Sequence, residues 1–180
     1  MGVPRLYKWL TDTFPRNIYR FPVYNKINWI NLPIVGEGKQ PDNLYIDGVS
    51  IVHNFSARVF KYGEHAIKEG ETDEYAEYSY KKKIETVYNM STEYVISLIK
   101  TVNPKYLAYV SFDGVAPLAK QGQQRQRRFV SAKSREESRT KFDSNTITAG
   151  SNFTYNFCIY AKYTLLNRMA MYKEFKHLKI

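Results

Sequence analysis

The chain has 180 residues, of which 43% are hydrophobic and 16% aromatic, so it can bury the core of one ordinary globular domain and is not a disordered polyelectrolyte. Its formal net charge is +10, which favours a polyanionic partner, most commonly nucleic acid. No stretch reaches the roughly eighteen apolar residues of a membrane span, and the single cysteine excludes an internal disulfide; we therefore expect an intracellular protein, in the cytoplasm or the nucleus, with no membrane partner.

The first third of the chain predicts a short helix, a long connection and a buried strand. Apolar residues at helical spacing predict a helix within residues 1–15. Residues 16–42 are rich in Pro, Asn, Tyr and Gly without a clear period, which predicts a loop or an insertion. Residues 43–47 form an apolar run that predicts a buried strand ending at Asp47, and we expect the following helix to begin near His53.

The remainder predicts a crossover helix, a second strand and two further helices. Residues 81–100 have helical periodicity, and residues 106–112 form a second apolar run that stops before Asp113. Strands joined by a long helical crossover are parallel. Residues 116–138 predict a basic helix, and residues 152–176 predict a last helix with one apolar stripe that packs on the sheet. The predicted fold class is therefore α/β, with a mainly parallel sheet flanked by helices.

Two aspartates follow the two predicted strands. Ligands of open α/β sheets gather at the carboxyl ends of the strands, so Asp47 and Asp113 should share one edge. Two neighbouring carboxylates repel each other unless a proton or a cation lies between them, and oxygen ligands suit Mg²⁺ or Mn²⁺. The alternative that these residues leave open is that each aspartate only forms a turn or caps a helix.

A basic constellation lies in the fourth predicted helix. Lys120, Gln124, Arg127 and Arg128 have the spacing i, i+4, i+7 and i+8, so they can converge on one anion. Arginine forks, a lysine and an amide together suit a terminal phosphate, although a merely solvated basic helix has the same pattern. His53 could stack on a base or bond a phosphate, or it could be a structural histidine.

Several short motifs follow one another along the chain. They are Met1-Gly-Val-Pro4, Asn43-Leu-Tyr-Ile-Asp47 with His53-Asn54, Phe112-Asp-Gly-Val-Ala-Pro117, Ala119-Lys120 with Gln123-Gln-Arg125, Arg127-Arg-Phe129, Ser131-Ala-Lys133, and Phe142-Asp-Ser-Asn145 through Ile147-Thr148 and Gly150. In order and approximate spacing these motifs resemble the XRN family of 5′-to-3′ exoribonucleases. The resemblance implies a partial three-layer fold, the N-terminal half of a PIN/FEN-like nuclease core, so residues 1–180 are predicted to be a single incomplete nuclease domain.

The resemblance also implies roles for individual residues. Carried over by position, it implies that Asp47 and Asp113 are catalytic and bind Mg²⁺ (or Mn²⁺), and that His53 stacks against the first base of the RNA. The substrate would be RNA with a 5′-monophosphate, hydrolysed one nucleotide at a time. The residues implied to bind that phosphate are Lys120, Gln124, Arg127 and Arg128.

The chain departs from the family pattern at three places. Asp47-Gly48-Val49-Ser50 stands where the family usually has Asp-Met-Asn-Gly, so valine replaces an amide near the metal, and Ala149 stands where proline is usual. The sequence also stops at Ile180, before the glutamates and aspartates that complete the family's cation site. We therefore expect that a further C-terminal segment or a second chain completes the site, and that these 180 residues alone have little nuclease activity and marginal stability.

Two other functions remain compatible with the same residues. One is a non-catalytic protein, a relic or partner subunit, that binds RNA 5′ ends through the basic constellation without cleaving them. The other is a structure-specific DNA nuclease, since aspartates at strand ends could serve either polymer.

Overall fold

The structure, a computed structural model, describes residues 5–15, 41–138, 142–173 and 179, without the side chains of residues 131–138. The chain divides into two compact units, residues 1–33 and 34–180. Most of the predicted connection, residues 16–40, and the last three residues of the predicted final helix lie outside the described residues.

The first unit contains one helix, α1, at Leu6–Thr13, which confirms the predicted short helix. Its apolar side chains recur at helical spacing, and Trp9 packs edge-on against Phe14 with ring centroids 5.8 Å apart. No residue of α1 is buried, so its apolar face contributes little to a core.

The second unit contains a parallel pair of strands, as predicted. Strand β1 is Asn43–Asp47 and strand β2 is Leu107–Ser111, and they pair in parallel from Asn43 with Leu107 to Asp47 with Ser111. A parallel bridge also joins Leu107 to Lys179. Lys179, the last described residue, therefore lies beside β2 at Leu107.

In the described part of this unit, four helices accompany the sheet. They are α2 at Val49–Phe60, α3 at Tyr80–Val102, α4 at Leu118–Ser138 and α5 at Asn152–Ala170, with short 3-10 turns at Gly63–His65 and Ser144–Thr146. Ser79 and Ser151 cap α3 and α5, because each side chain accepts a hydrogen bond from the third backbone N–H that follows it. None of the helices in the described ranges is long and apolar enough to cross a membrane.

The predicted start of α2 near His53 was wrong. The helix begins at Val49, because Asp47 accepts a hydrogen bond from the Val49 N–H at 3.1 Å and so satisfies one of the free donors of the first turn. The apolar run after Gly48 belongs to this helix, and it sends Val52, 2% exposed, into the core. Short apolar runs do not distinguish a strand from a buried helix.

Helices α3 and α5 cover one face of the sheet. Ile46 and Ala108 of the strands pack with Ile99 of α3 and Leu165 of α5 in one buried cluster. The predicted apolar stripe of the last helix is confirmed by its buried residues, which are Phe153, Phe157, Ala161, Leu165 and Met169. The predicted α/β class, with a parallel sheet flanked by helices, is therefore confirmed.

The ends of the two strands approach each other unusually closely. The Gly48 N–H donates to the Ser111 carbonyl at 2.8 Å, and the ring of Phe112 occupies the space that a Cβ at position 48 would need. Behind this contact, Phe112 packs edge-on against Phe157 of α5, with centroids 5.0 Å apart. The ring therefore fixes the strand ends against α5.

We expect Gly48→Ala to lower the free energy of unfolding by about 1–3 kcal/mol, because the added methyl overpacks against the Phe112 ring. Urea unfolding followed by circular dichroism measures the change. Gly122→Ala is the matched control: nothing lies within contact distance of its Cβ, and alanine in a helix should stabilise by about 0.5–1 kcal/mol. Part of the loss should return in Gly48→Ala combined with Phe112→Leu, and an unchanged stability of Gly48→Ala would contradict the close packing.

Candidate phosphate-binding cavity and strand-end carboxylates

The two predicted aspartates lie at the same edge of the sheet. Asp47 is the last residue of β1 and pairs with Ser111, and Asp113 follows that partner by two residues. Both residues are exposed. The parallel register therefore brings their backbones to one end of the sheet, as the sequence predicts, while their role as metal ligands stays a prediction.

Asp47 already accepts two local hydrogen bonds. Its Oδ1 accepts the Val49 N–H, and its main-chain oxygen accepts the Ser50 hydroxyl at 3.3 Å. One carboxylate oxygen thus takes part in the turn before α2, whose N-cap is Gly48. The other oxygen, Oδ2, lies outside this hydrogen bond, and a carboxylate can accept a backbone N–H and bind a cation at once.

A cavity of about 650 Å³ opens beside Asp113. It lies between the first turns of α2, the segment after β2, the first half of α4 and the turn before α5. The polar side chains of its wall include His53 and Asp113 and, from α4, Gln121, Gln124, Arg125, Arg127 and Arg128. Three guanidinium groups and one carboxylate give this wall a net positive charge, which favours an anionic occupant.

The cavity brings together most of the predicted site, but not all of it. His53, Asp113, Gln124, Arg127 and Arg128 line it, whereas Lys120 and Asp47 do not.

Sequence reasoning also missed Gln121 and Arg125. These two residues, with Gln124 and Arg128, have the spacing i, i+3, i+4 and i+7, which is an equally regular helical face. The sequence held one cue to these two residues: Arg125 ends the Gln-Gln-Arg motif and follows Gln121 by four residues, which is one helical turn. The side chain of Gln121 donates to the Ala116 carbonyl at 2.8 Å and so ties the start of α4 to the segment before it.

Arg128 contacts a residue from another segment of the cavity wall. Its Nη2 donates a hydrogen bond to the hydroxyl of Thr148, which lies in the turn before α5. The remaining guanidinium donors are left for other acceptors, since arginine carries five N–H groups. The side chains of Arg125 and Arg127 are exposed.

His53 contributes a neutral ring to the cavity. It is half-buried on α2, and burial lowers the pKa of its imidazole from the ordinary value of 6.5. At neutral pH the side chain is therefore uncharged, and it can stack on a flat group or exchange one hydrogen bond with it.

The two single-residue departures from the family pattern both lie in the cavity wall. Val49 and Ala149 line it together with the apolar side chains of Val115, Ala116 and Ile147. The wall thus combines the cationic side chains of α4 with apolar side chains and the ring of His53. An occupant that carries both an anionic group and a flat apolar group would match these two kinds of lining.

The donors at the strand ends are of the kind that hard divalent cations prefer. Asp47 and Asp113 supply carboxylate oxygens, which suit Mg²⁺ or Mn²⁺, so they fit such an ion as part of a ligand set. Within the described ranges, no three or more His, Cys, Asp or Glu side chains cluster closely enough to hold a metal. A complete set of about six oxygens would need water and further donors.

The family described as "XRN 5'-3' exonuclease N-terminus" matches residues 1–180. The chain is 29% identical over 85% of its length to "5'-3' exoribonuclease 1" of Schizosaccharomyces pombe. It is 27% and 28% identical over its whole length to the proteins of the same name from Saccharomyces cerevisiae and Homo sapiens. These alignments span only 10%, 11% and 10% of the three relatives.

The family match extends over every motif that sequence analysis singled out, including both strand-end aspartates and the basic face of α4. The chain therefore belongs to the XRN 5'-3' exonuclease family, of which it corresponds to the N-terminal region.

Proposed function

We propose that this chain is part of the catalytic region of a 5′-to-3′ exoribonuclease that hydrolyses RNA from a 5′-monophosphate. The observation that carries the proposal is the shared cavity, in which the guanidinium groups of α4 face Asp113 and the neutral ring of His53. The names of the relatives, 5'-3' exoribonucleases, favour RNA over DNA as the polymer. The lone cysteine supports a reducing setting inside the cell, cytoplasmic or nuclear.

The cavity suits the first nucleotide of such an RNA. Its volume of about 650 Å³ is within the usual range for small-molecule sites, about 300–1,000 Å³. Arg127 and Arg128 would bind the terminal phosphate oxygens with charge-assisted hydrogen bonds, and Gln124 would add an amide donor. The flat base would then stack on His53 and contact the apolar side chains of the wall.

A bound terminal phosphate would decide which bond reaches the carboxylates. Asp113 lies in the same wall as the arginines, so an RNA held by its 5′ end presents its first phosphodiester at a fixed distance from that edge. Asp47 and Asp113 would hold Mg²⁺ or Mn²⁺ there, and such an ion polarises a phosphodiester and lowers the pKa of a bound water. Further ligands would come from other parts of the protein or from a second chain.

A second candidate is a non-catalytic protein that binds RNA 5′ ends. The observation that favours it is the imbalance of the site: the described residues supply a full cationic wall but fewer than three clustered metal ligands. Valine at position 49 adds to this imbalance, because it replaces an amide that the family resemblance would place near the cation.

We expect Arg127→Ala and Arg128→Ala each to weaken binding of a 5′-phosphorylated oligoribonucleotide by about 10- to 100-fold, since a hydrogen bond to a charged group contributes about 1.5–3 kcal/mol. Fluorescence anisotropy measures this against the same RNA with a 5′-hydroxyl, whose binding should change much less. Lys162→Ala removes an exposed cation of α5 outside the cavity and is the charge-matched control.

The two helical faces of α4 make different predictions. If the cavity wall binds the phosphate, Arg125→Ala should reduce the preference for a 5′-phosphate more than Lys120→Ala does, because Arg125 lines the cavity and Lys120 does not. The same anisotropy titration compares the two variants. A larger effect of Lys120→Ala would restore the face predicted from sequence alone.

We expect Asp113→Ala to reduce Mg²⁺-dependent release of 5′-nucleotides by more than a hundredfold, because loss of even an outer-shell partner of a metal site costs about 10- to 100-fold. Binding of 5′-phosphorylated RNA should be retained. The assay uses the protein as it occurs, with any chain that co-purifies. Asp42→Ala, whose exposed carboxylate pairs with Lys105 at 3.6 Å, is the control. A protein that binds 5′ ends but releases no nucleotides would favour the second candidate.

Stability should decline as the pH falls below about 6.5, the ordinary pKa of a histidine side chain. The folded-state pKa of His53 lies below that value, so the unfolded chain binds the proton first and the free energy of unfolding decreases until the folded pKa is also passed. His53→Gln should remove this component of the pH profile, measured by urea unfolding between pH 7.5 and 4.5. A profile of identical slope in the variant would contradict the burial argument.

A further inference from the structure

We propose that Thr148 is a positioning residue for recognition of the 5′-phosphate, acting through its hydrogen bond to Arg128. The proposal rests on the proposed function and extends it to a residue that binds no substrate itself. Both residues line the cavity, and the Arg128 Nη2 donates to the Thr148 hydroxyl.

Arg128 needs such a partner because its helix gives it little support. From Gly122 to Val130 the only side chain of α4 that is even half-buried is Gln124, so packing does not restrict the conformations of the arginines. A long arginine side chain loses rotamer entropy when it is fixed. A hydrogen bond that orients the guanidinium before the anion arrives removes part of that loss from the binding step.

Thr148 is suited to orient another residue because its own segment is anchored in the core. Ile147, the residue before it, is 8% exposed, and Phe142 is 2% exposed and stacks on Phe60 with ring centroids 4.0 Å apart. The Thr148 N–H donates to the Thr146 carbonyl at 2.9 Å, and the Thr148 carbonyl accepts from the Ser151 N–H at 3.2 Å. The hydroxyl is therefore fixed relative to the sheet and α5.

This hydrogen bond orients Arg128 and uses only one of its donors. One N–H of the guanidinium is used by Thr148, and the other four remain for an anion in the cavity. Both Arg127 and Arg128 are exposed, but a phosphate would meet Arg128 already oriented by Thr148, whereas Arg127 has to be ordered during binding.

The test is a double-mutant cycle on the protein as it occurs, with any chain that co-purifies. The measured quantity is the ratio of the dissociation constants for 5′-hydroxyl and 5′-phosphorylated forms of one oligoribonucleotide. Thr148→Val, which replaces the hydroxyl with a methyl group, should lower this ratio by about 3- to 10-fold, the equivalent of one ordinary hydrogen bond. Thr148→Ser should restore it, and Thr148→Val should have no further effect in Arg128→Ala.

Controls separate this effect from damage to the fold. Thr146→Val removes a hydroxyl of the same segment that donates to the Asp143 carbonyl at 2.7 Å and does not line the cavity, so it should leave the ratio unchanged. Thr148→Ala provides a second removal of the hydroxyl if the valine variant does not fold, as judged by circular dichroism.

The outcomes distinguish the two levels of the proposal. A wild-type chain that does not prefer the 5′-phosphate contradicts the proposed function itself. A wild-type chain with the preference, combined with Thr148→Val and Thr148→Ala that keep it or increase it, overturns the role of Thr148. An equal loss in the presence and absence of Arg128 also overturns it, because the hydroxyl would then act by another route.

Discussion

The parallel pairing of β1 with β2 is the constraint on which the arrangement of this site depends. In a parallel pair both strands end at the same edge, so a register that aligns Asp47 with Ser111 brings Asp113 to the same end of the sheet as Asp47. The close approach of Gly48 to Phe112 holds that edge together, and Phe157 of α5 supports the ring from behind. A larger residue at position 48 would have to displace the ring, and with it the residue that precedes Asp113. Packing and chemistry are therefore coupled through a single glycine.

The cationic wall is held in place differently from the strand ends, because few side chains of this part of α4 are packed in the core. Residues 120–128 contain no apolar side chain, so this part of α4 presents charge and amides rather than a buried face. Like charges on neighbouring turns repel each other, which makes the wall unfavourable by itself and favourable around an anion. The contacts that place it come from outside the helix: Gln121 bonds the Ala116 carbonyl, and Arg128 bonds Thr148.

The contrast between the buried sheet with its packed helices and the exposed cationic wall explains which features could be predicted from the sequence. The strands, the crossover helix α3 and the stripe of α5 follow from apolar periodicity, because their residues are buried and burial is what periodicity reports. The start of α2 was missed because the run Val49-Ser-Ile-Val52 suits a strand and a helix alike, and the turn in which Asp47 accepts the Val49 N–H is visible only in the structure. The cavity-lining residues of α4 differ in part from the predicted binding set, because a segment without apolar residues carries no pattern that fixes its rotation. The sequence pattern does not show which of the polar residues Lys120 and Gln121 faces the cavity, and only the structure shows that Gln121 lines it.

Binding and hydrolysis would make unequal demands on this region of the family. The proposed phosphate recognition would need donors from α4 and the turn around Thr148, and these residues line one cavity. The proposed hydrolysis would need a ligand set for a divalent cation, to which Asp47 and Asp113 would contribute, although Asp47 already accepts a backbone N–H. The exposed position of both carboxylates means that a cation bound by them alone would keep most of its water, and hard cations release water reluctantly. Donors from outside these residues would therefore raise the affinity for the cation, whereas the donors proposed for the phosphate lie within them.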